Sequence, residues 1–333
     1  MSAFRSAVLT PHLAGRDEEL RLALEDLQIG RWLSTKALLV DTTTWALLTS
    51  RSQVLATGGA QSDAVDAWQA EEPGDAYALM MQARVRTLRA LTAHRANEGN
   101  DVLRFVRGAR AACDAAADRW PANPVPWVCL LALAQLDIDE RSPQRAEHWA
   151  TAPLHSLLPR GPWPLLSEVR RRDPGNREAH HRMLQCLQAR GAGAVDFTRW
   201  LASQLKPGSS ESVLLALPLY AYVEVFRLRR VGGQIAAGLR YWQDEQIHHY
   251  VALARDAWFA YLPDPTESSL LDLNHLAFAL TACGLPGAAD VFDAIGPFAT
   301  PAPWRQMGEA GRYWQDDFVR ARDYAAKGRL SRR

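Results

Sequence analysis

The sequence predicts an all-α protein, and three observations carry that prediction. Apolar residues recur three and four apart along most of the chain, the spacing of one helix face. The segments with this spacing are separated by helix-stopping clusters: EEPGD at 71–75, PANP at 121–124, RDPGN at 172–176, KPGSS at 206–210 and GLPG at 284–287. No run of alternating β-branched residues occurs, and no Asn-Gly or Asp-Gly pair joins two such runs.

Each element follows in order. After Asp17, EELRLALEDLQIGRW sets Leu20, Leu24 and Leu27 at helical spacing, with acids in the first turn. Short helices are expected over 43–57 and 62–71. The segment 75–96 predicts a long helix, because Asp75 is a good cap and no Gly or Pro follows until Gly99. Further helices are expected over 101–119, 124–138, 144–151, 162–172, 177–190 and 194–205. The last group covers 211–230, 244–260, 267–283, 286–295 and 312–327.

The chain has 333 residues, a formal net charge of +1, 48% apolar and 23% charged residues, the balance of a globular protein. Near-neutral charge argues against a polyanion binder that relies on bulk electrostatics, so no specific nucleic-acid partner is expected. Lysine occurs only at Lys36, Lys206 and Lys327, and alanine is abundant, a combination that GC-rich coding of the actinobacterial kind produces. The N-terminus, MSAFRSAVLTPHLAGRDEEL, lacks the apolar core of a signal peptide. The longest apolar stretch, Val213 to Val223, is about half a membrane span and contains Pro218. Cys113, Cys129, Cys186 and Cys283 are widely spaced and form no CxxC pair, so they are expected as buried, reduced thiols. A cytoplasmic protein with no membrane partner is the expectation.

An all-α chain of this length folds as a closed bundle or as a solenoid of helix pairs. Ala109, Cys113, Ala116 and Pro121 sit at the spacing of the second helix of a tetratricopeptide unit. Trp127, Leu130, Leu131 and Ala134 then fall on first-helix positions. The phase recurs around Pro174, with Leu166 and Val169 before it and His180, Met183, Leu184 and Leu187 after it. A looser match is LAFALTACGLPGAADVFDAIG, with Gly284 at the turn and Ala288, Phe292 and Ile295 beyond. On these residues the chain resembles a degenerate tetratricopeptide-repeat protein. The resemblance implies an irregular α-solenoid of helix pairs, interrupted near RGPWP at 160–164. The organisation expected from it is an N-terminal helical segment over 1–60, a repeat domain over 61–327 and a basic tail over 328–333. The twelve tryptophans, spread from Trp32 to Trp314, read as core residues at helix junctions, Trp127 foremost.

Catalytic motifs are missing. The sequence has no Walker loop, no GxGxxG after a strand, no HExxH and no GxSxG, and PGSSES at 207–212 reads as a loop before a helix cap. His180-His181 and His248-His249 fail the HHxxxD acyltransferase pattern, because Gln185 and Leu253 stand where the aspartate belongs. Glu178 with His181, and Glu245 with His249, are spaced to share a helix face, which offers two metal ligands but no complete site. DIDE at 137–140 resembles the acidic magnesium motif of all-α isoprenoid synthases. No Asn-Ser/Thr-Glu motif follows, NDVLRFVRG at 100–108 lies upstream, and Gly311-Arg312-Tyr313 adds only an Arg-Tyr pair. Asp137, Asp139 and Glu140 therefore read as a solvated helix end. Arg170, Arg171 and Arg172 oppose the negative end of a helix dipole, and KGRLSRR reads as a solvated tail.

With no catalytic residue, metal or cofactor indicated, the expected role is a non-enzymatic scaffold that binds a protein or peptide partner in a concave helical surface. LPLYAYVEVFRLRR supplies the candidate contact. Tyr220, Glu224 and Arg227 fall on one helical face, with Leu219, Val223 and Phe226 as apolar neighbours. An ordinary exposed ion pair is the plainer reading of Glu224 and Arg227. The alternative function is an all-α enzyme or small-molecule accessory protein with an internal pocket.

Overall fold

The structure is a computed structural model that describes residues 9–96, 100–137, 143–152, 158–231, 240–265, 268–307 and 313–330. Among the described residues it is all-helical, and its one β feature is an isolated bridge between Ala150 and Gly161. Contacts divide the chain into two compact units. One is Asp17–Phe197; the other combines Met1–Arg16 with Thr198–Arg333. Within the first unit the first helices pack against those just beyond residue 60.

The first unit runs through α1 (Glu18–Gln28), α2 (Leu33–Val40), α3 (Trp45–Gly59), α4 (Ala64–Glu71) and α5 (Ala76–Arg95). It continues through α6 (Asn100–Arg119), α7 (Val125–Leu133), α8 (Pro143–His148), α9 (Trp163–Arg172), α10 (Arg177–Ala189) and the start of α11 (Ala194–Gln204). The caps are chemical. Asp17 accepts the Leu20 N–H at 2.9 Å, and Asp75 accepts those of Tyr77 and Ala78 at 2.8 and 2.9 Å. Asn176 accepts the Ala179 N–H at 2.9 Å.

Helices α5 and α6 pack along each other. Ala109, Ala112, Cys113 and Ala116 of α6 are buried, and their small side chains let the backbones approach. Helix α7 packs on α5, α6, α9 and α10 and buries every residue except Trp127, as suits an all-apolar helix at the centre of a unit. Trp127 itself is half-buried. The Arg172 guanidinium covers its ring at 4.7 Å, and Leu130 and Leu131 provide the buried surface expected of it. Arg172 also donates to the Pro121 and Glu168 carbonyls, both at 2.6 Å, so the end of α9 is anchored by more than its dipole.

Arg84 of α5 lies inside this unit. It donates to the Glu178 carboxylate at 2.8 Å, to Ser52 Oγ at 3.2 Å and to the Thr49 carbonyl at 3.0 Å. Asn176 Nδ2 donates to Thr49 Oγ1 at 3.2 Å. Helices α3, α5 and α10 thus share one buried polar centre, although α3 and α10 are far apart in sequence.

The second unit holds α12 (Leu217–Val231), α13 (Glu245–Ala257), α14 (Leu270–Cys283), α15 (Ala288–Ile295), α16 (Trp304–Met307) and α17 (Trp314–Leu330). The Thr10 N–H reaches the Pro297 carbonyl at 2.8 Å, which ties the N-terminal strap to this unit. Phe292, Trp304 and Phe318 form its aromatic core, with ring centroids 5.2 to 6.0 Å apart. Gly284 ends α14 with φ +67°, a left-handed conformation that costs a side-chain-bearing residue, and the chain turns there into α15.

Three expected helices are subdivided. The 124–138 segment ends as α-helix at Leu133 and continues as a 3₁₀ turn to Leu136. The 211–230 segment begins as a 3₁₀ turn over Ser212–Ala216, and α12 starts at Leu217. Pro218 dictates that start, because it has no N–H to donate and is tolerated only in a first turn. The 244–260 segment stops as α-helix at Ala257 and ends in a 3₁₀ turn, Phe259–Tyr261. Among the described residues no helix is long and apolar enough to cross a membrane. All four cysteines are buried thiols.

Candidate functional site

The three residues expected to share a contact face separate in depth. Tyr220 is buried in the first turns of α12, its hydroxyl donating to Asp272 Oδ1 at 2.5 Å and its ring stacked on His275 at 3.6 Å. It belongs to the interior, where α12 meets α14. Glu224 and Arg227 lie farther along α12, part exposed, and pair through two hydrogen bonds of 2.8 and 2.7 Å.

A cleft opens elsewhere in the same unit. Arg199 of α11 and Glu245, Gln246, His249 and Tyr250 of α13 line a space of about 280 Å3. The local sequence explains their placement. Asp244 caps α13 by accepting the Gln246 N–H at 2.8 Å, and Ile247 and Val251 bury the helix's inner face. Glu245 and His249, four residues apart, therefore sit on the outer side and share the cleft. Arg199 is held by aromatic groups. Its Nε donates to the Tyr222 hydroxyl at 3.1 Å, and its guanidinium lies 5.8 Å from the Tyr222 ring and 5.9 Å from the Tyr250 ring. Burial pushes the Tyr222 hydroxyl above its ordinary pKa, outweighing the opposing pull of Arg199, so it stays a neutral phenol at physiological pH. The Tyr250 ring also meets His249 edge-on at 5.0 Å. The result is an oriented cation, the Tyr250 ring, a carboxylate and an imidazole around one opening, with Tyr222 buried behind the cation.

The other sequence candidates are placed as follows. Glu178 lies between Arg84 and Arg182, with Arg182 donating to it at 2.9 Å, so its carboxylate is engaged by two cations. Arg177 donates to His181 Nδ1 at 3.3 Å. His180 is buried. Its Nδ1–H donates to the Asn176 carbonyl at 2.8 Å, and burial pushes the imidazole down to a pKa of about 4. His248 donates from Nε2 to the Trp242 carbonyl at 2.7 Å. Asp137 is also buried, and both its carboxylate oxygens accept from Arg110, at 2.8 and 2.6 Å, so it is a paired group and not a solvated end. Asp139, Glu140, Gly311, Arg312 and residues 331–333 lie outside the described residues. Among the described residues no three His, Cys, Asp or Glu side chains gather as metal ligands.

Sequence reasoning reached Glu245 and His249 through their spacing. It missed Arg199, Tyr222 and Tyr250, which come from three helices and share no motif. No family model, curated protein or solved structure matches this chain.

Proposed function

We propose that this chain is a non-enzymatic scaffold that binds a segment of a partner protein, with helix pairs stacked as irregular repeats of the tetratricopeptide kind. The cleft of Arg199, Glu245, Gln246, His249 and Tyr250 carries the reading. Arginine and tyrosine dominate the energetic centres of protein interfaces, because both offer broad, rigid contact with a polar tip. Here an arginine is already oriented by tyrosines, which lowers the ordering cost of binding. The packed pairs α5/α6 and α14/α15, with small residues between the first pair and Gly284 at the turn of the second, support the repeat arrangement. Glu224 and Arg227 offer a second polar contact in the same unit.

The test is capture of a partner by in-cell cross-linking, followed by affinity measurement with the purified pair. Arg199→Ala and Tyr250→Ala should each weaken binding by about 1–2 kcal/mol with the far-ultraviolet spectrum unchanged. Unchanged affinity in both variants overturns the cleft as the contact. Stabilisation by a small metabolite, lost in the same variants, would favour the accessory-protein reading.

A further inference from the structure

We infer that a second copy of this chain docks on the outer face of α2, so that two copies pair through this helix, antiparallel about a two-fold axis. The surface lies in the first unit and shares no residue with the cleft of the second, so it goes beyond the proposed partner contact.

Helix α2 is apolar on two sides. Its inner side is covered by its own unit: Thr35, Leu38 and Leu39 are buried, and Trp32 at the helix entrance stacks on Trp68 of α4 at 5.3 Å. Its outer side carries Leu33, Ala37 and Val40, four and three residues apart and all exposed. Leu33 is 69% exposed and Val40 50%, and Ile29, one turn before Leu33, is 67% exposed. A helix that is apolar all round belongs in an interior, yet one side of α2 is open in the single chain. The exposure is also local. Among the described residues of the first unit, Leu22, Ile29, Leu33, Val40 and Leu47 are large, apolar and exposed, and beyond α3 only Leu103 joins them.

Charge at the two ends selects the occupant. Arg31 precedes the helix and Asp41 follows it. Both are exposed, and neither side chain makes an ion pair or a hydrogen bond among the described residues. The helix between them holds them about 15 Å apart, too far to pair with each other. Lys36, the other charge on α2, is engaged by Glu72 and Asp75. Of the neighbouring acids, Glu25 is paired with Arg21, Asp26 is half-buried and Glu71 ends α4, and none of them pairs with Arg31.

A face with opposite charges at its ends matches its own copy turned end for end. Arg31 of each copy then meets Asp41 of the other, and Leu33 packs on Val40 of the other copy. Ala37 crosses Ala37 at the centre, where a small side chain lets the axes approach. The two helix dipoles lie head to tail. A partner of one sign would match one end and oppose the other. The apolar patch is only a few side chains wide, so the pair belongs to the weak, reversible class.

The experiment is sedimentation velocity of the full-length protein from micromolar to submillimolar concentration. The parent should pass reversibly from one chain to two. Arg31→Glu and Asp41→Arg, each alone, set like charges at both ends of the pair and should weaken association about tenfold. An equal mixture of these two variants should pair again, because opposite charges then meet at both ends. Ala37→Arg, which sets two cations across the axis, should stay a single chain. Arg199→Ala should associate as the parent does, so failure of the cleft and failure of this surface are separable. A parent that stays a single chain at every concentration overturns the inference. So do single reversals that associate like the parent, or a mixture that fails to recover. If the parent stays single and Ala37→Arg loses a partner captured in cells, the face belongs to that partner and the two-fold pair is overturned. Should a reversal variant lose its far-ultraviolet helix signal, the parent and Ala37→Arg still decide.

Discussion

The two units are each organised around a buried polar network, and the networks differ in kind. In the first unit a full ion pair sits in the interior: Arg84 on Glu178, with Arg182 as a second cation. In the second unit the donors are a phenol, an indole and an imidazole. The Tyr220 hydroxyl reaches Asp272, the Trp304 indole donates to Asn274 Oδ1 at 2.9 Å, and His275 donates to the Leu271 carbonyl at 2.8 Å. Burial alone would raise the Glu178 pKa, but the two arginines outweigh burial and hold its carboxyl below the usual range. The contrast separates two ways to fix helices. An ion pair joins α5 to α10 strongly but makes each partner dependent on the other, whereas separate hydrogen bonds spread the cost over several smaller contacts.

Breaking the ion pair should therefore have the largest effect. Glu178→Leu leaves Arg84 inside the unit with its strongest counter-charge gone, and should cost about 3–5 kcal/mol in urea unfolding. The double variant Arg84→Met with Glu178→Leu should recover most of that loss, since it removes both desolvation penalties and fills the space with apolar groups. A double variant as unstable as the single one would mean that Ser52 and the Thr49 carbonyl, both left without Arg84, carry the cost.

Acid should expose the same asymmetry. His180, two residues beyond Glu178 on α10, is neutral in the folded protein until pH falls to about 4. An unfolded histidine takes its proton near 6.5, so the unfolded state binds more protons between these values. Stability then falls as pH drops through that interval, by about 3 kcal/mol in total. Glu178 adds to the loss at lower pH. Its stabilisation is complete above the unfolded glutamate value and disappears as pH falls through its depressed folded value. Urea midpoints measured from pH 7 to 4.5 should decline, and His180→Gln should flatten that decline. An equal slope in the variant would assign the acid sensitivity to other groups.

The second unit should respond more mildly. Tyr220→Phe keeps the ring stacked on His275 and removes one donor from Asp272, at a cost of about 1–2 kcal/mol. A larger cost, near that of Glu178→Leu, would erase the distinction between the networks.

These effects also mark the limits of the sequence. Helix spacing and breakers located most elements, because Asp75, Asn176 and Gly284 act locally and through their own chemistry. Helix α2 was missed. It is short, enters from Trp32 without a side-chain cap and has no acid in its first turn. Trp127 was taken for a core residue, yet its α7 neighbours are buried and it lies under Arg172, because position on an all-apolar helix does not reveal which side faces out. Spacing put Tyr220 on one helical face with Glu224 and Arg227, and only the tertiary fold brings Asp272 and His275 to it. Arg84 and Arg199 left no signal for the same reason. Their partners are 94 and 23 residues away, and no local pattern encodes such a distance.

The smallest effect is expected where a sequence candidate did reach the surface. Glu224 and Arg227 are three apart on α12 and pair in a geometry that a helix provides without help from the fold. Part of each side chain remains in water, so attraction is screened and the ordering of two long side chains offsets it. Arg227→Ala should therefore change unfolding stability by only about 0.3–0.5 kcal/mol. That indifference makes it the cleanest probe of contact in the second unit, because a loss of partner affinity cannot be blamed on the fold. If Arg227 meets a partner carboxylate, the variant should lose about 1–2 kcal/mol of affinity while its urea curve overlays the parent's. If affinity is unchanged and Arg199→Ala abolishes binding, the contact lies in the cleft of α11 and α13. The pair on α12 is then an ordinary ion pair, worth no more to the protein than its few tenths of a kcal/mol.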